Sequence, residues 1–418
     1  MKKISRRSFL LATGTMTLAA ALTACGGDDS NANNNDSGAS NGETTSEYKV
    51  AMVTDYGDIT DQSFNQTTWE ACVKFGEENN VEVKYYKPTT NDTAGRAQQV
   101  ELAIAEGYNV VVMPGYAFAG TIVAVAPEYP EVKFIALDVG LGDLLSEGAA
   151  AAGQEYDFNP DNWKLEDYVN MDNVYCAIYQ EELCGYMAGY AAVKLGYTKL
   201  GFLGGMPVPA VQRYGYGFVQ GADAAAVELG NAPEIKFVYG NQFHGDADIT
   251  ARMSTWYNAG TEVVFACGGG IYTSAVDAAK EVAGAKLIGV DVDQAAVIAN
   301  YAAGEDGDAA KWADMTVTSA MKGLAPTTID TLVDVIINGN WDNYVGKIAN
   351  LGLVNGDDPS ANYVQLADST QYADGKFTAD DYKALVKKMF DGEIKVSNDV
   401  TAEPAVTAVK VDYEGNIK

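Results

Sequence analysis

Three aspartates and a Phe-Asn pair lie within eleven residues, immediately after a run of strand-forming residues. Asp55, Asp58 and Asp61 occur at three-residue spacing, and Phe64 and Asn65 follow them. Carboxylates grouped in this way can bind a cation, transfer protons as an acid and a base, or accept hydrogen bonds from a ligand. An aromatic ring beside an amide adds a flat apolar surface and a polar edge.

The spacing argues against a calcium loop of the EF-hand type. Such a loop needs Gly at its sixth position and Glu at its twelfth, whereas a loop counted from Asp55 has Thr60 and Gln66 there. A calcium-dependent nucleoside hydrolase, which also uses clustered aspartates, stays open as an alternative. We expect Asp61 or Ser63 to cap the following helix, and Asp55, at the strand end, to contact a ligand.

Phe64 and Asn65 stand at the start of a predicted helix, where a large ring would ordinarily turn toward the core. If the Phe64 ring faces a cleft, it offers a stacking surface that contributes about 1 to 3 kcal/mol for a base. Asn65 would then present both a donor and an acceptor to the edge of the same ligand. Core packing of Phe64 remains the alternative.

These residues must be positioned by an alternating α/β pattern. Short Val/Ile/Leu-rich runs bounded by helix-length amphipathic segments indicate parallel strands covered on both faces. Helices are predicted at 66–79, 93–106, 182–194, 211–228, 271–283 and 378–390. Strands are predicted at 49–54, 81–86, 109–114, 132–138, 173–179, 199–205, 235–240, 262–270 and 286–293. The pattern occurs twice, which predicts two doubly wound lobes with a ligand cleft between them.

Further polar or glycine-rich loops follow other predicted strands. Asp138 and Asp291 each end a strand, and Gly268, Gly269 and Gly270 follow another. Ligands of doubly wound folds bind beyond the carboxyl ends of the strands, so we expect these loops to meet at one cleft. The glycine loop lacks the Lys of a phosphate-binding loop, which favours close backbone approach to a neutral ligand.

The amino terminus has the order of an export signal. Four basic residues precede an apolar stretch that ends in Leu-Thr-Ala-Cys, with the cysteine at position 25. We therefore predict a signal peptide over 1–24, a lipidated Cys25, and a flexible tether over 25–47 that holds a folded body on the extracytoplasmic face of the cell membrane. The Ser-Arg-Arg segment at 5–7 leaves Sec and twin-arginine export both open.

Composition excludes several classes of function. The formal charge is −29, and removal of the four basic residues before Cys25 leaves 24 − 57 = −33. A chain with this net negative charge repels phosphate backbones, which excludes nucleic acid as a partner. A single histidine and the absence of CxxC spacing make a zinc site or a Ser-His-Asp triad hard to build. Buried thiols are expected at Cys72, Cys176, Cys184 and Cys267, with pairing of Cys176 and Cys184 left open.

Five motifs resemble, in order, those of the basic membrane protein family, and more closely its purine nucleoside receptor lipoproteins. They are DYGDITDQSFNQTTW, FLGGM at 202–206, RYGYGF at 213–218, GVDVDQ at 289–294 and TSAMKG at 318–323. The resemblance implies a type I periplasmic-binding-protein fold, a purine nucleoside ligand (guanosine, inosine or adenosine), an ABC permease as partner, and neither enzymatic activity nor a cofactor.

The resemblance also implies roles for individual residues. Phe64 matches one of two rings that sandwich the purine, and Asn65 and Asp138 match residues that read its polar edge. Asp55, Asp291 and Lys322 match groups near the base and ribose, with the glycine loop alongside. The second ring corresponds to Tyr214, and Tyr216 and Phe218 are nearby competitors.

The expected domain organisation follows the order of the strands. Residues 48–172 are assigned mainly to lobe 1, with 296–340 returning to it, and 173–295 mainly to lobe 2, with 351–418 completing it. Segment 141–172 interrupts the alternation of strands and helices, and we interpret it as an interlobe crossover with a surface insertion. We expect a monomer. Besides the hydrolase, a sugar-binding or autoinducer-binding protein of the same fold remains an alternative.

Overall fold

A computed structural model describes residues 47–305 and 307–417 of the chain. The expectations for the signal peptide over 1–24, the lipidated Cys25 and nearly all of the tether lie outside these described residues. Within them, no helix is both long and apolar enough to cross a bilayer.

The first sheet has six strands, all parallel, in the order β11-β5-β4-β3-β1-β2. Its strands are β1 (Lys49–Val53), β2 (Glu82–Tyr86), β3 (Val110–Pro114), β4 (Lys133–Leu137), β5 (Val174–Tyr179) and β11 (Ile348–Leu351). Successive residues of β1 alternate between two hydrophobic clusters, because Val50 and Met52 pack on one face and Ala51 and Val53 on the other. This alternation explains why the strand is apolar throughout.

The second sheet has seven strands in the order β12-β10-β9-β8-β6-β7-β13, and only β12 runs antiparallel to its neighbour. Its strands are β6 (Lys199–Gly204), β7 (Glu234–Tyr239), β8 (Val263–Cys267), β9 (Lys286–Asp291), β10 (Thr316–Lys322), β12 (Val364–Leu366) and β13 (Lys410–Asn416). The two-lobed, doubly wound architecture expected from the sequence is therefore confirmed.

Helices cover both sheets. They are α1 (Phe64–Asn79), α2 (Thr93–Ala105), α3 (Phe118–Val125), α4 (Leu141–Ala151), α5 (Glu181–Leu195), α6 (Pro209–Leu229), α7 (Ala247–Asn258), α8 (Tyr272–Ala279), α9 (Ala295–Ala303), α10 (Leu324–Leu332) and α11 (Ala379–Phe390). Lobe 1 consists of the first sheet with α1–α4 and α10, which packs on α1; lobe 2 consists of the second sheet with α5–α9 and α11.

The points at which the chain changes lobe correct the expected boundaries. The segment 173–179 was assigned to lobe 2, but β5 pairs with β4 and is part of lobe 1. The segment 296–340 was assigned to lobe 1, but α9 and β10 belong to lobe 2 and only α10 returns. The chain therefore crosses after β5, after β10, and again between β11 and β12. Strand pairing is decided by contacts distant in sequence, which local hydrophobic patterns do not encode.

Segment 141–172 is an elaboration of lobe 1 and not an interlobe crossover, because both flanking strands, β4 and β5, lie in the first sheet. Its first part forms α4, and its second part is a loop held by a group of aromatic rings. The four cysteines outside the amino-terminal segment are all free and buried, as expected.

Helices α5 and α6 of lobe 2 are packed backbone against backbone. A Cβ atom on Gly185 would lie 2.2 Å from the carbonyl oxygen of Tyr214, and one on Gly217 would lie 2.1 Å from that of Glu182. Only glycine permits this approach. The close contact brings the first turn of α5, with Glu181, beside the part of α6 that carries Arg213 and Tyr214.

Candidate functional site

A cavity of about 1340 Å³ lies between the carboxyl-terminal ends of the two sheets. Because the ends of parallel strands meet at one edge of each sheet, loops from both lobes converge on it. All of the site residues predicted from the sequence line this cavity: Asp55, Phe64, Asn65, Asp138, Tyr214, Gly268, Gly269, Gly270, Asp291 and Lys322.

The loop between β1 and α1 is held by its own side chains. The Asp61 carboxylate accepts hydrogen bonds from the backbone N–H groups of Ser63, Asn65 and Gln66 at 2.9 to 3.1 Å, so it caps α1 as expected. Asp55 Oδ1 accepts from the backbone N–H of Gly57 at 2.7 Å and from Asn65 Nδ2 at 3.1 Å. Burial raises the pKa of the Asp55 carboxyl above its ordinary value, and these hydrogen bonds partly oppose the shift.

The three aspartates do not converge on one point. Asp58 is exposed and forms a salt bridge with Lys87, while Asp61 is committed to the helix cap. Across residues 47–305 and 307–417, no group of three or more His, Cys, Asp or Glu side chains has an arrangement that could hold a metal ion. All three hydrogen bonds that Asp55 accepts reach Oδ1, so this carboxylate has Oδ2 left for a ligand.

Phe64 is half-buried, and its ring lines the cavity. The ammonium of Lys322, at the end of β10 in lobe 2, lies 4.7 Å from the centroid of this ring. The same ammonium lies 5.6 Å from the Tyr179 ring and 5.7 Å from the Tyr214 ring. The structure combines the two alternatives, because Phe64 lines the cavity and also packs against the hydrophobic core; a cation from the opposite lobe lies over its ring.

Lys322 is the centre of a buried charged cluster. Its ammonium pairs with Asp138 of lobe 1 and lies 3.6 Å from both Glu181 Oε1 and Asp291 Oδ1. The other oxygen of Glu181 accepts from Arg213 Nε at 2.7 Å. Three carboxylates therefore face two cations, and a fully ionised cluster would carry one excess negative charge.

This excess charge contributes to the pKa values of Asp138 and Lys322. The pKa of Asp138 is raised to about 7 in total: burial raises it most, Lys322 lowers it, and Glu181 and Asp291 also raise it. Burial lowers the pKa of Lys322, but the three surrounding carboxylates together more than offset this and raise it, so the ammonium stays protonated. The pKa of the adjacent Glu182 is also raised to about 7, mainly by burial and in addition by Glu181, and Arg213 opposes this shift only in part.

Two buried acceptors in the cavity wall lack a hydrogen-bond donor. Asn65 Oδ1 and Asp138 Oδ1 have no partner anywhere in the described parts of the chain. Asn65 donates from Nδ2 to both Asp55 and Asp61 at 3.1 Å. Its amide hydrogens are therefore used within lobe 1, and the expectation that Asn65 offers a ligand both a donor and an acceptor is wrong: the acceptor alone is left.

Of the three candidates for a second ring, Tyr214 lines the cavity, whereas the described cavity wall includes neither Tyr216 nor Phe218. Tyr216 packs on Phe237, and Phe218 is fully buried against Phe265. Tyr214 is itself buried, and its hydroxyl donates to Asp291 at 3.4 Å. Tyr216 lies on the opposite side of α6 from Tyr214, whereas Phe218 is on the same side but one turn further along the helix, where it packs in the core.

Sequence reasoning missed a second aromatic group in the cavity wall, formed by Tyr56, Tyr116 and Phe243. Tyr56 of lobe 1 stacks on Phe243 of lobe 2 with ring centroids 6.1 Å apart, and its hydroxyl lies 2.9 Å from that of Tyr116. Both hydroxyls also approach the sulfur of Met206, in lobe 2. The sequence did contain a signal for these residues, because each of the three follows the end of a strand, where ligand-binding loops are expected.

Direct hydrogen bonds also join the lobes. Ser63 Oγ, at the start of α1, donates to Asp291 Oδ2 at 2.6 Å, and Gln294 Nε2 donates to the backbone oxygen of Gln62 at 3.3 Å. The glycine loop lies beneath Phe243: Gly268 has φ +146, and a Cβ there would meet the Phe243 ring at 2.9 Å. The structure therefore has its two lobes in contact around the cavity.

The family described as Bmp, ABC transporter substrate-binding protein PnrA-like, matches residues 48–357. The chain belongs to this family. The motif resemblance drawn from the sequence is therefore confirmed, and the protein is a substrate-binding protein of the ABC transporter type. Residues 358–418, which supply β12 and β13 to lobe 2, lie beyond the matched region.

Named relatives of this Bmp-family chain include the ABC transporter nucleoside-binding protein BmpA of Lactococcus lactis subsp. cremoris. It is 26% identical over 331 residues, which cover 77% of this chain and 83% of the relative. Basic membrane protein B of Borreliella burgdorferi is 24% identical over 319 residues, covering 75% and 80% of the two chains.

Solved structures support the fold assignment. An ABC transporter solute-binding protein from Aeropyrum pernix superposes with a TM-score of 0.58 at 20% identity, covering 84% of this chain and 88% of that one. A solute-binding protein from Conexibacter woesei gives a TM-score of 0.57 at 22% identity, covering 84% and 99%. The Bmp-family chain thus has the type I periplasmic-binding-protein fold.

Proposed function

We propose that this Bmp-family protein binds purine nucleosides in the interlobe cavity and delivers them to an ABC permease. One observation carries the proposal: an accessible phenylalanine ring lies in the same cavity as two buried acceptors, Asn65 Oδ1 and Asp138 Oδ1, that have no donor in the described chain. A purine nucleoside supplies a flat ring for Phe64 and N–H groups for the two acceptors.

The remaining polar groups suit the ribose. The three donors on Asp55, from Tyr56, Gly57 and Asn65, all reach Oδ1, so Oδ2 can accept from a ribose hydroxyl. Hydrogen bonds that involve a charged group contribute about 1.5 to 3 kcal/mol each. With aromatic stacking, a net binding free energy of about 8 to 12 kcal/mol is expected, which corresponds to micromolar to nanomolar affinity.

The charge of the cavity supports selection of a neutral ligand. A nucleotide phosphate would have to enter among Asp55, Asp138 and Asp291, on a chain whose formal charge is −29. Lys322 and Arg213 are already paired with carboxylates. We therefore expect nucleosides to bind and nucleoside monophosphates to be rejected.

Isothermal titration and thermal unfolding against a ligand panel test the proposal. Inosine, guanosine and adenosine are compared with ribose, the three nucleoside monophosphates and cytidine. Ligand at 100 times its Kd adds about 2.7 kcal/mol to the free energy of unfolding, an effect that raises the Tm measurably. If no purine nucleoside binds or raises the Tm, the ligand class is wrong. Saturable binding of sugars, together with no binding of purine nucleosides, would favour the sugar-binding alternative.

The same panel separates a receptor from a nucleoside hydrolase. A hydrolase would release free base from inosine and lose this activity in a chelator, whereas a receptor leaves the nucleoside intact. High-performance chromatography after overnight incubation with stoichiometric protein distinguishes the two, and release of hypoxanthine would contradict the proposal.

Anchoring is the second part of the proposed function. The Leu-Thr-Ala-Cys segment ending at Cys25 supports lipidation and attachment to the extracytoplasmic face of the cell membrane. Replacing Cys25 with Ala in the producing cell should move the protein from the membrane fraction to the soluble fraction. Equal membrane retention of both forms would contradict the anchor.

A further inference from the structure

The cavity has room for more than a nucleoside. Its volume of about 1340 Å³ exceeds the roughly 300 to 1,000 Å³ of ordinary small-molecule sites. The strand-end residues Asp55, Phe64, Asp138 and Asp291 line an inner part. An outer part, toward the rim, is lined by segments further from the strands: the start of α4, the loop after it, the loop before α6, and a turn of the carboxyl-terminal tail at residues 398–401.

The lobe 1 side of the outer part is aromatic. Tyr156, Phe158 and Pro160, which we name the lobe 1 lip, come from the loop after α4. The Tyr156 ring lies 5.5 Å from that of Phe158 and 5.4 Å from that of Trp163, centroid to centroid. Trp163 Nε1 donates to Asp157 Oδ1 at 2.7 Å. The lip is therefore a braced structure and holds its rings in place.

Phe158 is an unusual residue within the lip. Its side chain is 78% exposed, and its backbone has φ +59, in the left-handed region that bulky residues rarely adopt. Apart from its contact with Tyr156, this ring is exposed to solvent, and it is held at a disfavoured backbone geometry in the cavity wall. It is the kind of outlier that marks a ligand contact.

The lobe 2 side of the outer part includes the tail turn, residues 398–401. Gln220 on α6 holds the residue before the turn through two hydrogen bonds to the Ser397 backbone, each 2.9 Å. Asp223 Oδ1, one turn further along α6, accepts from the backbone N–H groups of Thr407, Ala408 and Val409 at 2.7 to 3.0 Å. The tail is thus fixed to the helix that also presents Tyr214 to the inner part.

We propose that the outer part is a second subsite, formed by the lobe 1 lip and the tail turn, that holds a neutral, flat apolar substituent carried by the nucleoside. The proposal rests on the proposed function, because the inner part must bind the nucleoside itself. Val208, Pro209 and Val400 add apolar surface to the lobe 2 wall of the same cavity. Asp143 and Asp399 line the same part and disfavour a phosphate there.

Titration of matched ligands tests the subsite. Adenosine is compared with N6-benzyladenosine, and inosine with 5′-O-benzoylinosine, so that the same phenyl group is carried at opposite ends of the nucleoside. At least one phenyl-bearing ligand should bind as tightly as its parent or tighter. If both parents bind and both phenyl-bearing ligands bind 100-fold more weakly, the subsite proposal is overturned and the nucleoside function stands. If no parent binds, both proposals fall.

The variant Phe158→Gly tests the lip without endangering the fold, because glycine adopts φ +59 freely. It should weaken the accepted phenyl-bearing ligand on the order of ten-fold, as expected for loss of one stacked ring, and leave the parent nucleoside unchanged. Phe390→Ala, at another exposed phenylalanine at the end of α11, is the matched control and should change neither affinity. Unchanged affinity for both ligands in Phe158→Gly, or equal loss for both, would overturn the proposal.

Discussion

The ammonium of Lys322, in lobe 2, lies 4.7 Å from the centroid of the Phe64 ring, in lobe 1. It also pairs with Asp138 of lobe 1. The protein's own cation therefore occupies one face of the ring and one oxygen of the carboxylate that the proposed ligand would use. A purine that stacks on this face has to displace Lys322, whereas one that binds the remaining Asp138 oxygen can leave the ion pair intact.

The cluster around Lys322 should be essential to the stability of the closed arrangement. Replacing Lys322 with Met leaves Asp138, Glu181 and Asp291 without their shared cation. We expect the free energy of unfolding at pH 8, measured in urea, to fall by about 3 to 5 kcal/mol. The loss should be smaller at pH 5, where a carboxylate of the cluster can take up a proton.

Lys311→Met is the control for this variant. Lys311 also lies over an aromatic ring, 5.3 Å from that of Trp312, but it is exposed. Its replacement should change the free energy of unfolding by less than about 0.5 kcal/mol. If the two substitutions change the free energy of unfolding equally, the buried cluster contributes no more to stability than an exposed lysine does.

The hydrogen bond between Ser63 and Asp291 should favour lobe closure. Ser63→Ala removes the 2.6 Å bond across the cleft, and a hydrogen bond to a charged group contributes about 1.5 to 3 kcal/mol. We expect the affinity for the bound nucleoside to fall by about ten-fold, and small-angle scattering of the free variant to show a larger radius of gyration.

Ser369→Ala provides a matched comparison, because Ser369 Oγ donates to Asp293 at the same 2.6 Å but at an exposed site away from the cleft. It should leave both the nucleoside affinity and the radius of gyration unchanged. If Ser63→Ala behaves in the same way, the bond across the cleft does not control closure.

Adjacent Glu181 and Glu182 are both buried but should respond in opposite ways to neutralisation. Burial raises the pKa of Glu182 from 4.5 to about 7, so its stabilising contribution is fully present below pH 4.5 and is lost as the pH rises through 7. At about 1.4 kcal/mol per pKa unit, the penalty at pH 8 has an upper bound of about 3 kcal/mol. Glu182→Gln should therefore stabilise the protein by up to this amount at pH 8 and by little at pH 4.5.

Glu181→Gln should instead destabilise the protein at pH 8, by about 2 kcal/mol, because Glu181 accepts from Arg213 and faces Lys322. Urea unfolding of both variants at the two pH values gives the comparison. Destabilisation by both substitutions at pH 8 would mean that the attraction of Arg213, which lowers the pKa of Glu182, outweighs the effect of burial.

Much of the fold was predictable because strands buried on both faces leave continuous apolar runs in the sequence. All nine predicted strands are present within a few residues of their expected limits. Which sheet a strand joins was not predictable: β5 was assigned to the wrong lobe, and so was segment 296–340, in which β10 was not predicted as a strand. The crossovers are decided by tertiary pairing, such as that of β5 with β4 and β10 with β9.

The candidate site was predictable to the extent that strand ends mark it. The rule that ligands bind beyond the carboxyl ends of parallel strands predicted that Asp55, Asp138 and Asp291 lie in one cavity, and all three line it. It gave no information on hydrogen bonds inside the wall, so the commitment of the Asn65 amide to two aspartates was not foreseen. Nor could it show that the tail, distant in sequence, contributes a turn to the rim.

Nucleoside binding should depend on pH through Asp138. Burial raises the pKa of this carboxyl to about 7 in the ligand-free protein, so a large fraction is protonated at pH 6. An N–H group of the base binds the ionised carboxylate, because the protonated form has lost acceptor capacity at one oxygen. We therefore expect affinity to rise from pH 6 to pH 8, and binding at pH 7 to release up to about half a proton per ligand.

Titration calorimetry measures both quantities. The affinity is determined at pH 6, 7 and 8. The number of protons released per ligand bound at pH 7 follows from the heats in two buffers with different ionisation enthalpies. Asp138→Asn, which keeps the shape but cannot ionise, should bind more weakly at pH 8 and remove most of the pH dependence. If affinity changes with pH in Asp138→Asn as steeply as in the native protein, the titrating group is not Asp138. If the affinity of the native protein is constant from pH 6 to 8, Asp138 either keeps its charge in the free protein or does not accept a hydrogen bond from the ligand.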